Sequence, residues 1–275
     1  MAMNLASKYA NKVDERFKLK SLTEAAVNRE YDWTGVDTIH VYGVDTAPMN
    51  DYVKTGAARY GAAAELGNTK QSMVLAKDRS FTFTIDRANK LNTQMTMDAG
   101  KALARQVSEV IVPEVDVYRL GVMAAAAVAN TSIVATVPTA ANAYSILLAM
   151  TEKLDDAKVP IEGRIAFVKP SFYNFLKLDP TFIKATEIAQ KMLINGQVGE
   201  IDNVKIVKAP SSYFPTKTNV ILTHPVATVA AQKLEDYKTH DNPPGINGWL
   251  VEGRQIYDAF VLNNKKSAIV VNQTA

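Results

Sequence analysis

Three histidines, the adjacent carboxylates Asp155-Asp156 and Glu235-Asp236, and the serine pair Ser211-Ser212 are candidates for chemistry by residue type. Their spacing argues against each. His40, His224 and His240 fall in three separate segments with no pair at metal-ligand spacing, so each reads as a surface or packing histidine. The chain has no cysteine, which excludes disulfides and thiolate metal sites. A metal would then need carboxylates. Asp155-Asp156 and Glu235-Asp236 are sequence neighbours, and neighbours point different ways from a helix or strand, so neither pair converges on an ion. Gly196-Gln197-Val198-Gly199 superficially suggests a phosphate loop. It lacks a following Lys-Ser or Lys-Thr and follows a helical pattern, so it reads as a turn. Ser211-Ser212 lies in a proline-bounded loop with no nearby base, and no Gly-x-Ser-x-Gly elbow exists. Asn130-Thr131-Ser132 and Asn272-Gln273-Thr274 fit the glycosylation pattern, which is common by chance and irrelevant without secretion. No catalytic, cofactor-binding or metal-binding set emerges, and the expected role is not enzymatic.

Composition narrows the class further. With 275 residues and 47% hydrophobic content, the chain can bury one large domain or two compact subdomains. Its 31 basic and 28 acidic residues leave a net charge of only +3, without the concentrated basic face of a nucleic-acid binder. Lys8, Lys12, Arg16, Lys18 and Lys20 interleave with acids and read as a solvated face. The start of the chain lacks the apolar core of a signal peptide, and the run Val122–Ala129 is too short to span a bilayer. These features lead us to expect a soluble intracellular protein.

The elements that must position these residues begin with two short alternating segments, Val36–Tyr42 and Ser80–Asp86, each with the two-residue period of a strand. The insert between them has no hydrophobic period of its own. Ordinary hairpin loops run about 2–5 residues, so an insert this long reads as a functional arm or a segment ordered by a partner. That points to assembly before chemistry.

A helical period starts near Leu91, through Met95, Ala99, Ala102, Gln106 and Val110, with Asn92 or Thr93 as its cap and Asp98, Lys101, Arg105 and Glu109 on the wetter face. Pro113 predicts a break or kink, then the first turn of a second helix through Tyr118, Leu120 and the alanine run. Residues 130–138 read as extended. Thr139 is expected to cap a helix with the stripe Tyr144, Leu147, Leu148, Met150 and Leu154, ended by Pro160 and Gly163. Ile165–Val168 reads as a buried strand, followed after Pro170 by a short helix carrying Phe172, Phe175 and Leu176. A further helix carries Phe182, Ile183, Ile188, Met192 and Leu193 and stops at Asn195-Gly196. The remainder reads as strands: 204–207, 220–222, 250–252, 255–262 and 267–271, with Asn263-Asn264 as a hairpin turn between the last two. Lys265-Lys266 would protect an edge, and Trp249, Tyr257 and Phe260 at strand spacing would be core. The fold class is α+β, with helices and strands segregated.

This order of elements resembles the major capsid proteins of tailed bacteriophages, which have the Hong Kong 97-like capsid fold shared with encapsulin shells. The resemblance runs from about Asp14 to Val271. It is carried by Gly163–Tyr173 as a strand-to-helix step, by Gly196–Val207 as a "Gly-x-Ile-Gly … Gly-x-x-Val" stretch, by Leu222–Ala227, and by Gly253–Val261 as a closing strand. Asn203 stands where glycine is usual, at a turn that asparagine tolerates.

The resemblance implies residues 1–30 as an N-terminal arm and 31–90 as an extended strand-loop-strand over a neighbouring subunit. It implies 91–137 as a peripheral domain with its spine helix, 138–225 as the axial domain, and 226–275 as return strands. It implies pentamers and hexamers that self-assemble into an icosahedral shell, which encloses phage double-stranded DNA without sequence-specific binding. A portal and a separate scaffolding protein are the implied partners, because too little chain precedes the loop for a built-in scaffold. The location would be the virion, after assembly in the host cytoplasm, with no cofactor and no membrane. Some relatives cross-link through a Lys–Asn isopeptide bond. Lys70 and Lys77 in the loop and Asn242 and Asn247 downstream do not align with that site, so no cross-link is expected. The alternatives are an encapsulin-like compartment shell around cargo enzymes and, from a different class, an unrecognised enzyme.

Overall fold

The computed structural model describes residues 21–34, 36–57, 59–63, 65–92, 98–181 and 199–274. The alternating segment expected near residue 36 is β1 (Thr38–Val44). Its partner is not the second segment foreseen but β2 (Asn68–Val74), paired antiparallel with Thr38 opposite Val74 and Val44 opposite Asn68. β2 is polar from Asn68 to Ser72 and apolar only at Met73 and Val74, which hides a strand from any hydrophobic-period reading.

β3 (Lys77–Asp86) follows two residues later but enters a different sheet, ordered β3-β10-β9. In that sheet β9 (Thr228–Asp241) and β10 (Gly248–Val261) form a long antiparallel hairpin, and β10 is one continuous strand rather than the two expected. Gly253 explains the misreading. It faces Phe81 on β3 and Tyr237 on β9 in register, and the two rings lie 6.0 Å apart across it. A Cβ at this position would run into both rings, so the strand needs glycine there although the residue looks like a breaker.

The third sheet has six strands in the order β4-β11-β8-β5-β7-β6. They are β4 (Ile133–Val134), β5 (Arg164–Val168), β6 (Glu200–Ile201), β7 (Val204–Lys208), β8 (Thr218–Thr223) and β11 (Ile269–Gln273). β5 pairs parallel with β7 and β11 parallel with β4; the other pairs are antiparallel. All five residues of β5 are buried: Ile165–Val168 as the continuous apolar run of a central strand, and Arg164 through its bonds to Asp155 and the Val159 and Pro160 carbonyls. β6 and β7 meet at Asp202-Asn203, both left-handed with φ of 51° and 57°, a tight turn that asparagine and aspartate accept. No hairpin joins β10 to β11. The chain passes from one sheet to the other through a short 3-10 helix, Asn263–Ala268, which holds Lys265-Lys266.

The helices are α1 (Arg87–Asn92), α2 (Ala99–Gln106), α3 (Val112–Ala129), α4 (Ala143–Asp156) and α5 (Pro170–Leu178). Asp98 is the cap of α2, accepting from the Gly100 and Lys101 amides at 3.1 and 3.2 Å, a role not foreseen for this solvent-facing residue. Asn92 closes α1 instead, and Thr93 lies outside the described residues. Pro113 does not end the helix. A π turn, Val107–Ile111, precedes it, with the Val112 amide reaching back five residues to the Val107 carbonyl, and the helix continues into α3. The wider turn makes room for a proline ring that would clash with the carbonyl four residues back. The start of α4 also shifts. Asn142 precedes it and accepts the Thr139 amide at 2.7 Å, while the buried Asp179 accepts the Tyr144 amide at 3.0 Å. Leu148, placed in the stripe, is exposed, and Ile146 is buried in its stead. The helix foreseen through Phe182–Leu193 and the turn at Gly196–Val198 lie outside the described residues.

Three apolar clusters organise the molecule. The largest joins α3, α4 and α5 to the six-stranded sheet through Leu120, Met123, Leu147, Phe167, Phe172 and Ile221. A second, around Trp33, Met73, Val229 and Leu262, seats the β1–β2 pair on the β9–β10 hairpin. A third packs α2 on β3 and β10 through Ile85, Ala99 and Val251. Among the described residues, no helix is long and apolar enough to cross a membrane.

Candidate assembly surfaces

The residues that could do chemistry stay apart in the fold. His40 on β1 lies 2.9 Å from the Ser72 hydroxyl across the strand pair. His224 pairs with the Glu162 carbonyl at 2.9 Å and accepts the Val226 amide at Nδ1. His240 on β9 faces Glu252 at 3.4 Å. Asp155 is held by the buried Arg164 at 2.7 Å, and Asp236 pairs with Lys238. Ser211-Ser212 form one 3-10 turn. Among the described residues no group of histidines and carboxylates could hold a metal.

A cavity of about 120 Å³ lies beneath the π turn, between the helix and β3 and β10. Its polar groups answer one another: Glu114 accepts from Arg79 at 2.8 Å and from the Tyr257 hydroxyl at 3.1 Å. Burial, with Glu114 adding to it, pushes the Tyr257 phenol up to about 12, so it stays protonated at neutral pH. No nucleophile, base and oxyanion donor converge there.

The surface is more telling. β1 and β2 close at a neck where the Asp45 amide donates to the Gly67 carbonyl at 3.1 Å. Beyond it, residues 46–66 form an arm whose described residues are all exposed. Met49 is 97% and Tyr60 83% exposed, and Tyr52, Val53 and Leu66 are also open to solvent. Within the arm, the Tyr52 and Tyr60 rings meet edge-on at 5.0 Å, and the Val53 amide donates to the Arg59 carbonyl. Concentrated apolar exposure of this kind marks a docking surface.

The root of the arm, by contrast, is fixed. Trp33 stacks on Phe260 at 5.6 Å, Met73 is fully buried, and Gln71 bridges the Val261 carbonyl and the Asn263 amide at 2.9 and 2.8 Å. Phe260 thus has the packing role expected of it, as does the buried Tyr257. Trp249 is half-buried, with Lys90 over its ring at 4.2 Å.

Two buried carboxylates fasten the surrounding frame. Asp116 on α3 accepts from the Ser21 and Thr23 hydroxyls and the Leu22 amide, while Arg119 donates to Thr23 and Glu24. This pins the segment entering the described residues to α3. Asp258 on β10 accepts from the Ala76 amide at 2.8 Å and the Tyr118 hydroxyl at 2.7 Å. It locks the β2–β3 junction to α3, and burial together with that bond drives the Tyr118 phenol far up. Neither aspartate stood out in the sequence, where a lone carboxylate in a helix or strand reads as surface. Asn272 is another buried anchor. Its amide donates to the Val134 and Thr136 carbonyls, so the glycosylation pattern there is structural. Lys70 lies over Tyr42 and Lys77 over Tyr118, while Asn242 and the Asn247 carbonyl both accept from Arg87. The basic residues Lys8 to Lys20 lie outside the described residues.

The sequence matches the phage capsid protein family over residues 69–272. No curated protein matches it by sequence. Several solved structures share its shape. That of Mycobacterium phage Che8 superposes with a TM-score of 0.73 at 17% identity, over 98% of each chain. The capsid of cyanophage P-SCSP1u gives 0.74 at 14% identity, over 98% of this chain and 93% of its own. The mature capsid of bacteriophage PhiM1 gives 0.74 at 11%, over 98% and 92%.

Proposed function

The chain belongs to the phage capsid protein family and is a major capsid protein with the Hong Kong 97-like fold, and from that premise we propose how it closes a shell. Copies join as pentamers and hexamers into an icosahedral container for phage double-stranded DNA. The arm at 46–66 lies over a neighbouring copy and buries its exposed methionine, tyrosines and leucine there. The combination of a rigid root and an exposed apolar tip carries this reading. A subunit makes many weak contacts at once, so each can be reversible while the closed shell is durable.

The division proposed for the chain is an N-terminal arm at 1–30, the extended loop at 31–90, a peripheral domain at 91–137 and 226–275, and an axial domain at 138–225. A separate scaffolding protein and a portal would attend assembly in the host cytoplasm, and the end point is the virion. A net charge of +3 suits a wall that must not trap DNA during packaging. No observation favours the compartment-shell alternative or an enzymatic one.

The test replaces residues 46–66 with a two-residue Asn-Gly turn, which preserves the Asp45–Gly67 neck and the β1–β2 register. The expected outcome is an unchanged melting temperature with no shells in electron micrographs. Normal shells from the shortened chain would overturn the arm assignment.

A further inference from the structure

The six-stranded sheet is charged differently at its two ends. β5 and β7 run parallel, with Val168 opposite Lys208, so their carboxyl ends lie together. Lysines gather there. Lys177 and Lys208 lie over the Tyr173 ring at 4.9 and 5.4 Å, and Lys169 lies over Phe214 at 5.7 Å. None of the three has an ion-pair partner among the described residues, and burial lowers the Lys169 pKa. The nearby Asp179 is buried and occupied with the start of α4. Leu178, next to Lys177, is 63% exposed.

The amino ends of the same strands, about 17 Å away by the rise of a five-residue strand, carry the opposite character. Glu152, Asp156 and Glu162 are exposed around the loop leading into β5, and Asp202 lies at the adjoining β6–β7 turn. Lys153, Lys158 and Lys205 share this end, with Lys153 donating to the Ile133 carbonyl, while Arg164 is committed to Asp155. An aliphatic side chain stands here too, Ile161, at 54% exposure.

We infer that these two ends are complementary halves of a head-to-tail contact between copies: Lys169, Lys177, Lys208 and Leu178 of one subunit against Asp156, Glu162 and Ile161 of the next. The inference rests on the capsid reading and names the residues that would join neighbours around a ring. A contact between unlike surfaces repeats until the rotation closes, which is what a pentamer or hexamer requires. Nucleic acid fits the basic end less well. Tyr173 and Phe214 are buried beneath the lysines, so no base can stack on them, and a phosphate backbone has no use for the exposed Leu178.

The experiment is a charge exchange scored by electron microscopy and light scattering, with melting curves as the folding control. K177E/K208E and, separately, D156K/E162K should each fold and lose capsomers and shells, and the four changes together should restore them. K177Q/K208Q should assemble weakly, and with a smaller dependence on salt than the unaltered chain shows. Normal shells from either reversed pair would overturn the inference. Failure of the combined variant to recover would overturn it as well, and if K177E/K208E had also lost binding to a short DNA duplex, the lysines would be phosphate contacts. The unaltered chain separates the two levels. If it assembles while the exchange fails, only this contact is wrong; if it yields neither capsomers nor shells with scaffold supplied, the capsid reading falls with it.

Discussion

At position 253 a single hydrogen atom sets how closely two aromatic rings can approach across β10. A methyl group there meets Phe81 and Tyr237 at once. Gly253→Ala is therefore expected to cost about 1–3 kcal/mol through overpacking, read as a lowered urea midpoint. Asp98 makes a second residue-level prediction. The Lys101 amide chiefly, with the Lys90 charge helping, holds its carboxyl below the usual range. A carboxylate with a depressed folded pKa stabilises above its unfolded value and loses that contribution as pH falls through the folded one. Asp98→Ala should lower stability by about 1 kcal/mol at neutral pH, and its urea midpoint should converge with that of the parent in acid. The sequence made such residues hard to recognise. Asp116 and Asp258 acquire their roles from amides and hydroxyls that arrive from elsewhere in the chain, and nothing local marks them, whereas Asp98 caps amides two and three residues on and was hidden only because the helical period reads straight through it.

Among the elements, legibility followed burial on one face. β1, β3, β5, β7 and β8 were readable because apolar side chains alternate or run together in them. β9 was invisible for the opposite reason. Its first four residues, Thr228–Ala231, are buried but small, and its second half is a charged, mostly exposed ribbon. Neither half has a period. The helix was readable in part of its stripe, at Ala99 and Ala102, but not in its continuity or its later face: Val110 is exposed and the Glu109 side chain is buried, within a π turn that leaves no mark on the spacing. The arm's unusual length was plain, whereas its root was not: Met73, Trp33 and Leu262 are far apart in sequence and converge only on folding. The arm-shortening experiment tests this element directly, because it removes the exposed tip and leaves the root intact.

For the whole molecule, the uneven distribution of the three clusters predicts an uneven pattern of hydrogen exchange. β5, with all five residues buried between β7 and β8, should exchange most slowly and track global unfolding. Residues 46–57 and 59–63 should exchange at once in the isolated subunit and become protected on assembly. Equal protection of arm and β5 in the monomer would contradict this picture. α3 ties the two larger sheets together, packing against β10 of one and β8 and β11 of the other. The overall α+β class was legible, but the separation of these two sheets was not, because it depends on the crossing at Asn263–Ala268.

That crossing has a genetic consequence. The chain leaves the six-stranded sheet after Thr223 and re-enters it at Ile269, and within that excursion the Leu262 amide donates to the Ala227 carbonyl at 3.0 Å. Everything from Thr228 to Val261 is thus a peninsula on a narrow isthmus, with its two shores already touching. A recombination event that exchanged this stretch of the gene would leave the two cut ends within peptide reach. The exposed outer part of β9 and the turn beyond it could then vary between lineages, while Thr228–Ala231 and Tyr257–Val261, packed against the rest of the molecule, change more slowly.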